Sequence, residues 1–230
     1  MMKKINIAID GPAGSGKGTV AKIVAKKLDY RYIDTGVMYR LLTYLMIKDN
    51  ISVEDDEKIK ELLIDKFDYE IKDDKVYFNN KDVTLDLRSK EVNALISPVA
   101  RKPYVRKFMV QLQQNIASEK GVVMDGRDIS SVVMPDAELK IYLDASLEER
   151  ARRRYIDEVN KGGNMTFEEV KKSVANRDYN DLEVNKTLVK CVDSVEIDST
   201  NTTVDEVVSK VLSLVKERVS NDWSCSSIYR

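Results

Sequence analysis

The sequence predicts an α/β fold in which five parallel strands form a sheet with helices on both faces. Three observations carry this prediction. Five short apolar runs, at residues 5–9, 32–33, 121–124, 139–143 and 195–197, read as buried strands, and an aspartate follows each. Between them lie segments whose apolar residues recur at helical spacing. A glycine-rich turn joins the first strand directly to the first helix. Buried strands that alternate with helices require a parallel sheet covered on both sides.

In chain order, residues 5–9 lead through Asp10 into Gly11-Pro12-Ala13-Gly14-Ser15-Gly16-Lys17-Gly18-Thr19. Val20, Ile23, Val24 and Leu28 then mark one face of a helix. Tyr69 and Ile71, then Val76 and Phe78, alternate around Asp73-Asp74 and Asn79-Asn80. This predicts a small antiparallel β insert over residues 67–84. Val105, Phe108, Met109, Leu112 and Ile116 predict an amphipathic helix. Residues 146–160 and 166–176 are charged and helical, and Gly162-Gly163-Asn164 between them predicts a helical hairpin. Val204, Val207, Val208, Val211, Leu212 and Val215 stripe the last helix. After Val219 the periodicity stops, so residues 221–230 read as a mobile tail behind a single domain of residues 1–220.

Composition excludes several kinds of function. Charged residues are 33% and hydrophobic residues 43% of the 230, which suits one sizeable core. Lys and Arg (38) balance Asp and Glu (39), and the net charge of -1 argues against a nucleic-acid partner. No run reaches the roughly 18 apolar residues of a membrane span. The basic start, Met1-Met2-Lys3-Lys4, resembles a signal peptide only until Asp10, and a buried first strand is expected instead. With 0 His there is no Ser-His-Asp triad, no imidazole base and no His metal ligand. Cys191 and Cys225 are too few for a disulfide framework and too far apart for a zinc knuckle. A reducing, cytoplasmic location is expected. No exposed apolar stripe demands a partner, so the expectation is a monomer.

The strongest motif is Gly11-x-x-x-x-Gly16-Lys17-Gly18-Thr19. Glycines let the backbone N–H groups of such a turn point inward and form an anion nest capped by a helix N-terminus. Lys17 then reaches the outer phosphates of a nucleoside triphosphate. The loop departs from the general phosphate-binding pattern in one place: Gly18 follows the lysine, and the hydroxyl comes next, at Thr19.

That variant resembles the nucleoside monophosphate kinases, and further segments narrow the likeness to bacterial cytidylate kinases. Asp34-Thr35-Gly36-Val37-Met38-Tyr39-Arg40 resembles the family's D-[ST]-G-x-x-Y-R. Asp125-Gly126-Arg127-Asp128 resembles its D-G-R-D, and Arg177-Asp178-x-x-Asp181 its R-D-x-x-D. Asp198-Ser199-Thr200 is similar to the end of its last core strand. The resemblance implies a P-loop kinase fold that binds ATP through residues 11–19 and transfers phosphate to CMP or dCMP. It implies that Thr35, Tyr39, Arg40, Arg127, Arg177 and Asp181 hold the acceptor, with Ser97, Arg106 and Asp128 on its base. It implies that the insert helps to enclose the monophosphate and that residues 150–176 form a lid. It implies that Arg153 or Arg154 of that lid closes on ATP. Mg2+ is the expected cofactor with ATP, met by Thr19 or by Asp125 through water, with Asp10 a weaker alternative. The pattern breaks at Val184, where the family has a further arginine; Lys186 nearby is a point charge without the guanidinium fork.

The residue chemistry suits this reaction. A monophosphate has a second pKa of about 6, so at neutral pH it is already largely a dianion and needs no general base. A chain without histidine is adequate for that. Bringing two anions together instead demands positive charge and alignment, which arginines supply. Other readings are a kinase for AMP or UMP, a small-molecule P-loop kinase, and a nucleotide sensor without turnover.

Overall fold

The computed structural model describes residues 3–65, 67, 69–72, 75–160 and 162–226, with backbone alone for residue 65 and residues 221–226. In chain order the first elements are β1 (Ile7–Asp10), α1 (Lys17–Leu28), β2 (Arg31–Asp34), α2 (Thr35–Lys48) and α3 (Asp56–Asp65). Next come β3 (Glu70–Lys72), β4 (Lys75–Phe78), β5 (Lys81–Asp82), α4 (Lys90–Arg101) and α5 (Pro103–Ala117). The last are β6 (Val122–Gly126), β7 (Leu139–Asp144), α6 (Leu147–Asn160), α7 (Phe167–Tyr179), β8 (Val195–Asp198) and α8 (Val204–Ser226). The backbone forms two compact units, residues 1–34 with 114–230, and residues 35–113.

The first unit holds a five-stranded sheet in the order β2-β6-β1-β7-β8, every pairing parallel, as the apolar runs predict. β1 is buried along its whole length, as a strand covered on both faces must be. Ile7 and Ile9 pack with Val20 and Val24 of α1, Ile141 of β7, and Val207 and Val211 of α8. The stripes of α1 and α8 read from the sequence therefore bury the faces expected of them, except at Val204, which is exposed at the start of α8. α1 ends where Asp29 takes a left-handed φ of 54° and its N–H turns back to the carbonyls of Ala25 and Lys26. α8 carries the backbone through Ser226, whereas the sequence offered no regular element after Val219; residues 227–230 of the expected tail lie outside the described residues.

The second unit packs α2 with α3 and α4 around Met38, Leu41, Leu42, Leu45, Ile59 and Val92. Its sheet is antiparallel, in the order β3-β4-β5, within the predicted insert. Asn79 and Asn80 have φ of 49° and 61°, the positive pair that a tight hairpin turn needs. The other predicted turn, Asp73-Asp74, lies outside the described residues. The expected alternation holds in β4, where Val76 and Phe78 are buried, but fails in β3. β3 pairs on one side alone and is exposed throughout, Ile71 included.

Candidate active site

Between β1 and α1 the chain turns through Gly11 to Gly16. A β-carbon at Gly11 would lie 2.0 Å from the Leu143 carbonyl oxygen of β7, so the strands can approach only with glycine there. Gly14 and Gly16 have φ of 82° and 88°, values that side chains disfavour. Gly16 is also the N-cap of α1, whose first turn holds no acidic residue. The helix end thus offers free N–H groups and partial positive charge to an anion. Ser15 Oγ is buried without a hydrogen-bond partner among the described residues, a donor within the loop for a phosphate oxygen to accept.

Lys17 is buried, and its ammonium donates to the Pro12 carbonyl at 3.0 Å. Burial, and then the charge of Arg127, holds its pKa well below the usual lysine range; Asp125 acts in the opposite sense. Arg177 and Arg154 also depress it, so both share its electrostatic neighbourhood. The outer side of the loop is braced by α6. Arg150 donates to the Ala13 carbonyl at 3.1 Å, and Arg153 to the Ser15 carbonyl at 3.2 Å and the Ser199 carbonyl at 2.6 Å.

Asp125 on β6 is in register with Asp34 on β2, which places two carboxylates on neighbouring strands. Burial and then the Asp34 charge push the Asp125 pKa up to about 7, although Tyr32 donates to its Oδ1 at 2.9 Å. Its Oδ2 lies 3.7 Å from where a β-carbon on Gly18 would stand, against the start of α1. Thr19, one residue further, is exposed. Among the described residues no group of three or more carboxylate or cysteine side chains is placed to hold a metal. A carboxylate and a hydroxyl at this helix start suit Mg2+ bound mainly by phosphate and water oxygens. Asp10 has no oxygen to spare: Ile129 N and Ser130 N each donate to it at 2.8 Å, and Ser130 Oγ donates as well.

The acceptor-side residues divide between the two units. In the second unit Thr35 is buried at the start of α2, with Tyr39 and Arg40 on the next turn. Arg40 is held by the Leu87 carbonyl at 2.9 Å and Asn93 Oδ1 at 2.7 Å. Ser97 is exposed in mid-helix, since α4 runs on through Pro98 to Arg101, and Arg106 is half-buried on α5. In the first unit Arg127 closes on Asp181, Nε to Oδ2 at 2.8 Å. Arg177, four residues before Asp181, is only at 4.0 Å. Asp128 occupies the N-cap position of a π-helical turn, Ile129–Val133, without a side-chain capping bond. Val184 lies half-exposed at the end of a second π-helical turn, Asn180–Val184, and Lys186 follows at a φ of 50°.

Sequence reasoning gave Asp10 only as a weaker metal-side candidate and quoted Asp178 without a role, and it did not single out the side chains of Tyr32 or Asn93. Asp10 adjoins the quoted glycine-rich loop and Asp178 lies within a quoted motif, which was the available signal; Tyr32 and Asn93 carried none.

The chain matches the family model described as cytidylate kinase over residues 7–217. It is 46% identical over 222 residues to a cytidylate kinase of Ligilactobacillus salivarius, covering 95% of this chain and 99% of that protein. A cytidylate kinase of Listeria monocytogenes is 47% identical over 226 residues, 96% of this chain and 100% of that protein. Among solved structures, a gluconokinase from Sinorhizobium meliloti superposes with a TM-score of 0.50 at 14% identity. It covers 98% of this chain and 99% of its own, and the likeness is one of fold alone. A phosphate loop of this geometry, strand-end motifs in the expected order and near-complete coverage of such relatives lead to one assignment: the chain belongs to the cytidylate kinase family.

Proposed function

We propose that the protein transfers the γ-phosphoryl group of ATP to CMP or dCMP. The observation that carries this reading is the anion nest of residues 11–16 with Lys17 beside it, in a chain of this family. The triphosphate lies along the loop, where N–H groups and Lys17 hold its outer oxygens. An oxygen of the acceptor's phosphate dianion attacks the γ-phosphorus in line as the bond to the β–γ bridging oxygen breaks, and ADP leaves. No covalent enzyme intermediate forms. No proton has to be removed, so the absence of histidine costs nothing.

Arg127 stands at the end of the strand beside β1 and draws the two phosphate chains together against their repulsion. Arg154 is the lid arginine that meets ATP, since it acts electrostatically on Lys17. Thr35, Tyr39, Arg40, Arg177 and Asp181 hold the acceptor's phosphate and sugar. Ser97, Arg106 and Asp128 offer a hydroxyl, a guanidinium and a carboxylate to the amino, ring-nitrogen and carbonyl groups of cytosine. Thr19, or Asp125 through water, would hold Mg2+ bound with ATP, which would supply neutralisation of the phosphate charge. The enzyme works as a cytoplasmic monomer on free nucleotides.

ADP release measured with CMP, dCMP, UMP and AMP side by side tests the reading. Turnover is expected with CMP or dCMP well above the other two, and a preference for AMP overturns it. Lys17→Ala is expected to lower kcat by about 100-fold or more. Asp128→Ala and Arg106→Ala are expected to raise KM for CMP, each by roughly tenfold, with KM for ATP little changed.

A further inference from the structure

We infer that Arg150 is a positioning residue that keeps the phosphate loop in its binding conformation from behind, by holding the Ala13 carbonyl turned away from the nest. The inference rests on the reading of residues 11–19 as the ATP loop and adds a residue that no phosphate need touch. Arg150 is 7% exposed, on the first turn of α6. Its guanidinium donates to the Ala145 carbonyl through Nε at 2.9 Å and to Ala13 through Nη1 at 3.1 Å. It also donates to Asp178 Oδ2 of α7 at 2.5 Å. The other oxygen of Asp178, Oδ1, is buried without a hydrogen-bond partner among the described residues. Asp178 thus gives its charge to Arg150.

The peptide unit supplies the mechanism. It is planar and trans, so the carbonyl of one residue and the N–H of the next point in opposite directions. Holding the Ala13 carbonyl outward aims the Gly14 N–H inward, where an anion must find it. Backbone packing acts the same way: a β-carbon on Gly14 would sit 3.0 Å from the Arg150 carbonyl oxygen. Two residues on, Arg153 and Ser199 Oγ hold the Ser15 carbonyl at 3.2 Å and 3.1 Å, which aims the Gly16 N–H likewise. The helix long enough to bear lid arginines therefore also forms the rear wall of the loop. A lysine at position 150 lacks the fork and cannot reach Ala13, Ala145 and Asp178 together.

The test uses inorganic tripolyphosphate, which probes the loop without base, sugar or acceptor. Arg150→Lys is one variant. Arg150→Met/Asp178→Asn is the second, because it removes both charges and leaves no lone buried ion if the single change impairs folding. Expected are a rise of about tenfold in the tripolyphosphate inhibition constant and in KM for ATP, with KM for CMP within about twofold. In 15N-labelled protein the Gly14 amide is expected to lose its tripolyphosphate-induced shift, while the Gly16 amide keeps its own. Unchanged tripolyphosphate inhibition in either folded variant overturns the inference, and so does an equal rise in KM for both substrates. The tripolyphosphate-induced Gly14 amide shift requires no turnover, so it stays readable in a wild-type protein that fails to phosphorylate CMP, and a Gly14 shift retained in the variants overturns the inference by itself.

Discussion

Asp125 illustrates how much a single side chain owes to its surroundings. Its pKa of about 7 stands well above the carboxylate value of 3.8, through burial first and Asp34 second. The folded state therefore binds this proton more tightly than the unfolded chain does. Between about pH 4 and pH 7 the unfolded chain has lost the proton and the folded state retains it, so this group lowers stability as pH rises. Asp125→Asn removes that contribution. Denaturant unfolding at pH 5 and pH 7 is expected to show a smaller loss of stability with rising pH in the variant than in the wild type. Equal differences would refute the assignment. The arginines of α6 divide in a comparable way. Arg152 pairs with Glu149 at the surface, as the charge pattern of the helix suggests, while Arg150 is buried against the loop. One helical turn separates neither from the other in sequence terms; only the side of the helix does.

Among the elements, the approach of β1 to β7 and the α6–α7 hairpin make the most specific demands. Gly11→Ala places a methyl 2.0 Å from the Leu143 carbonyl, backbone against backbone, and is expected to destabilise by about 3 kcal/mol or more. Gly18→Ala is the contrast. Its methyl would meet Tyr32 Oη at 3.4 Å and Asp125 Oδ2 at 3.7 Å, ordinary contacts, so its effect is expected to stay within about 1 kcal/mol. Urea unfolding of both variants measures this, and a similar cost for the two would contradict the packing argument. At the start of α7, Thr166 and Glu169 cap each other reciprocally. Thr166→Ala is expected to lose about 1 kcal/mol and to speed hydrogen exchange in the first turn of α7. That capping box is readable in the letters Thr-Phe-Glu-Glu, as are the helical hairpin around Gly162 and the Asn79-Asn80 turn. The exposure of β3 was not readable, because alternation marks two faces and does not say whether anything covers either one.

For the whole molecule, a ligand that binds only the folded state raises stability by mass action, about 2.7 kcal/mol at 100 times its Kd. Mg2+ with ATP is expected to raise the Tm, and EDTA added with the same ATP is expected to remove most of that rise. Equal shifts with and without EDTA would remove Mg2+ from the proposed function. The fold itself was legible early, because a parallel sheet buried on both faces writes itself as apolar runs, and an anion nest needs its glycines and lysine within a few adjacent positions. The sequence by itself therefore determined the strand–loop–helix that holds phosphate, the order of the strands' carboxyl-end motifs and the lack of any imidazole chemistry. Tertiary structure decided which partners those residues meet. Arg150 reaches Ala13 across 137 residues, and Arg127 takes Asp181 across 54 although Arg177 stands only four away. Spacing along a chain ranks neighbours by backbone distance, whereas a buried charge goes to whichever opposite group the packing brings closest, and that is settled only when the sheet has formed.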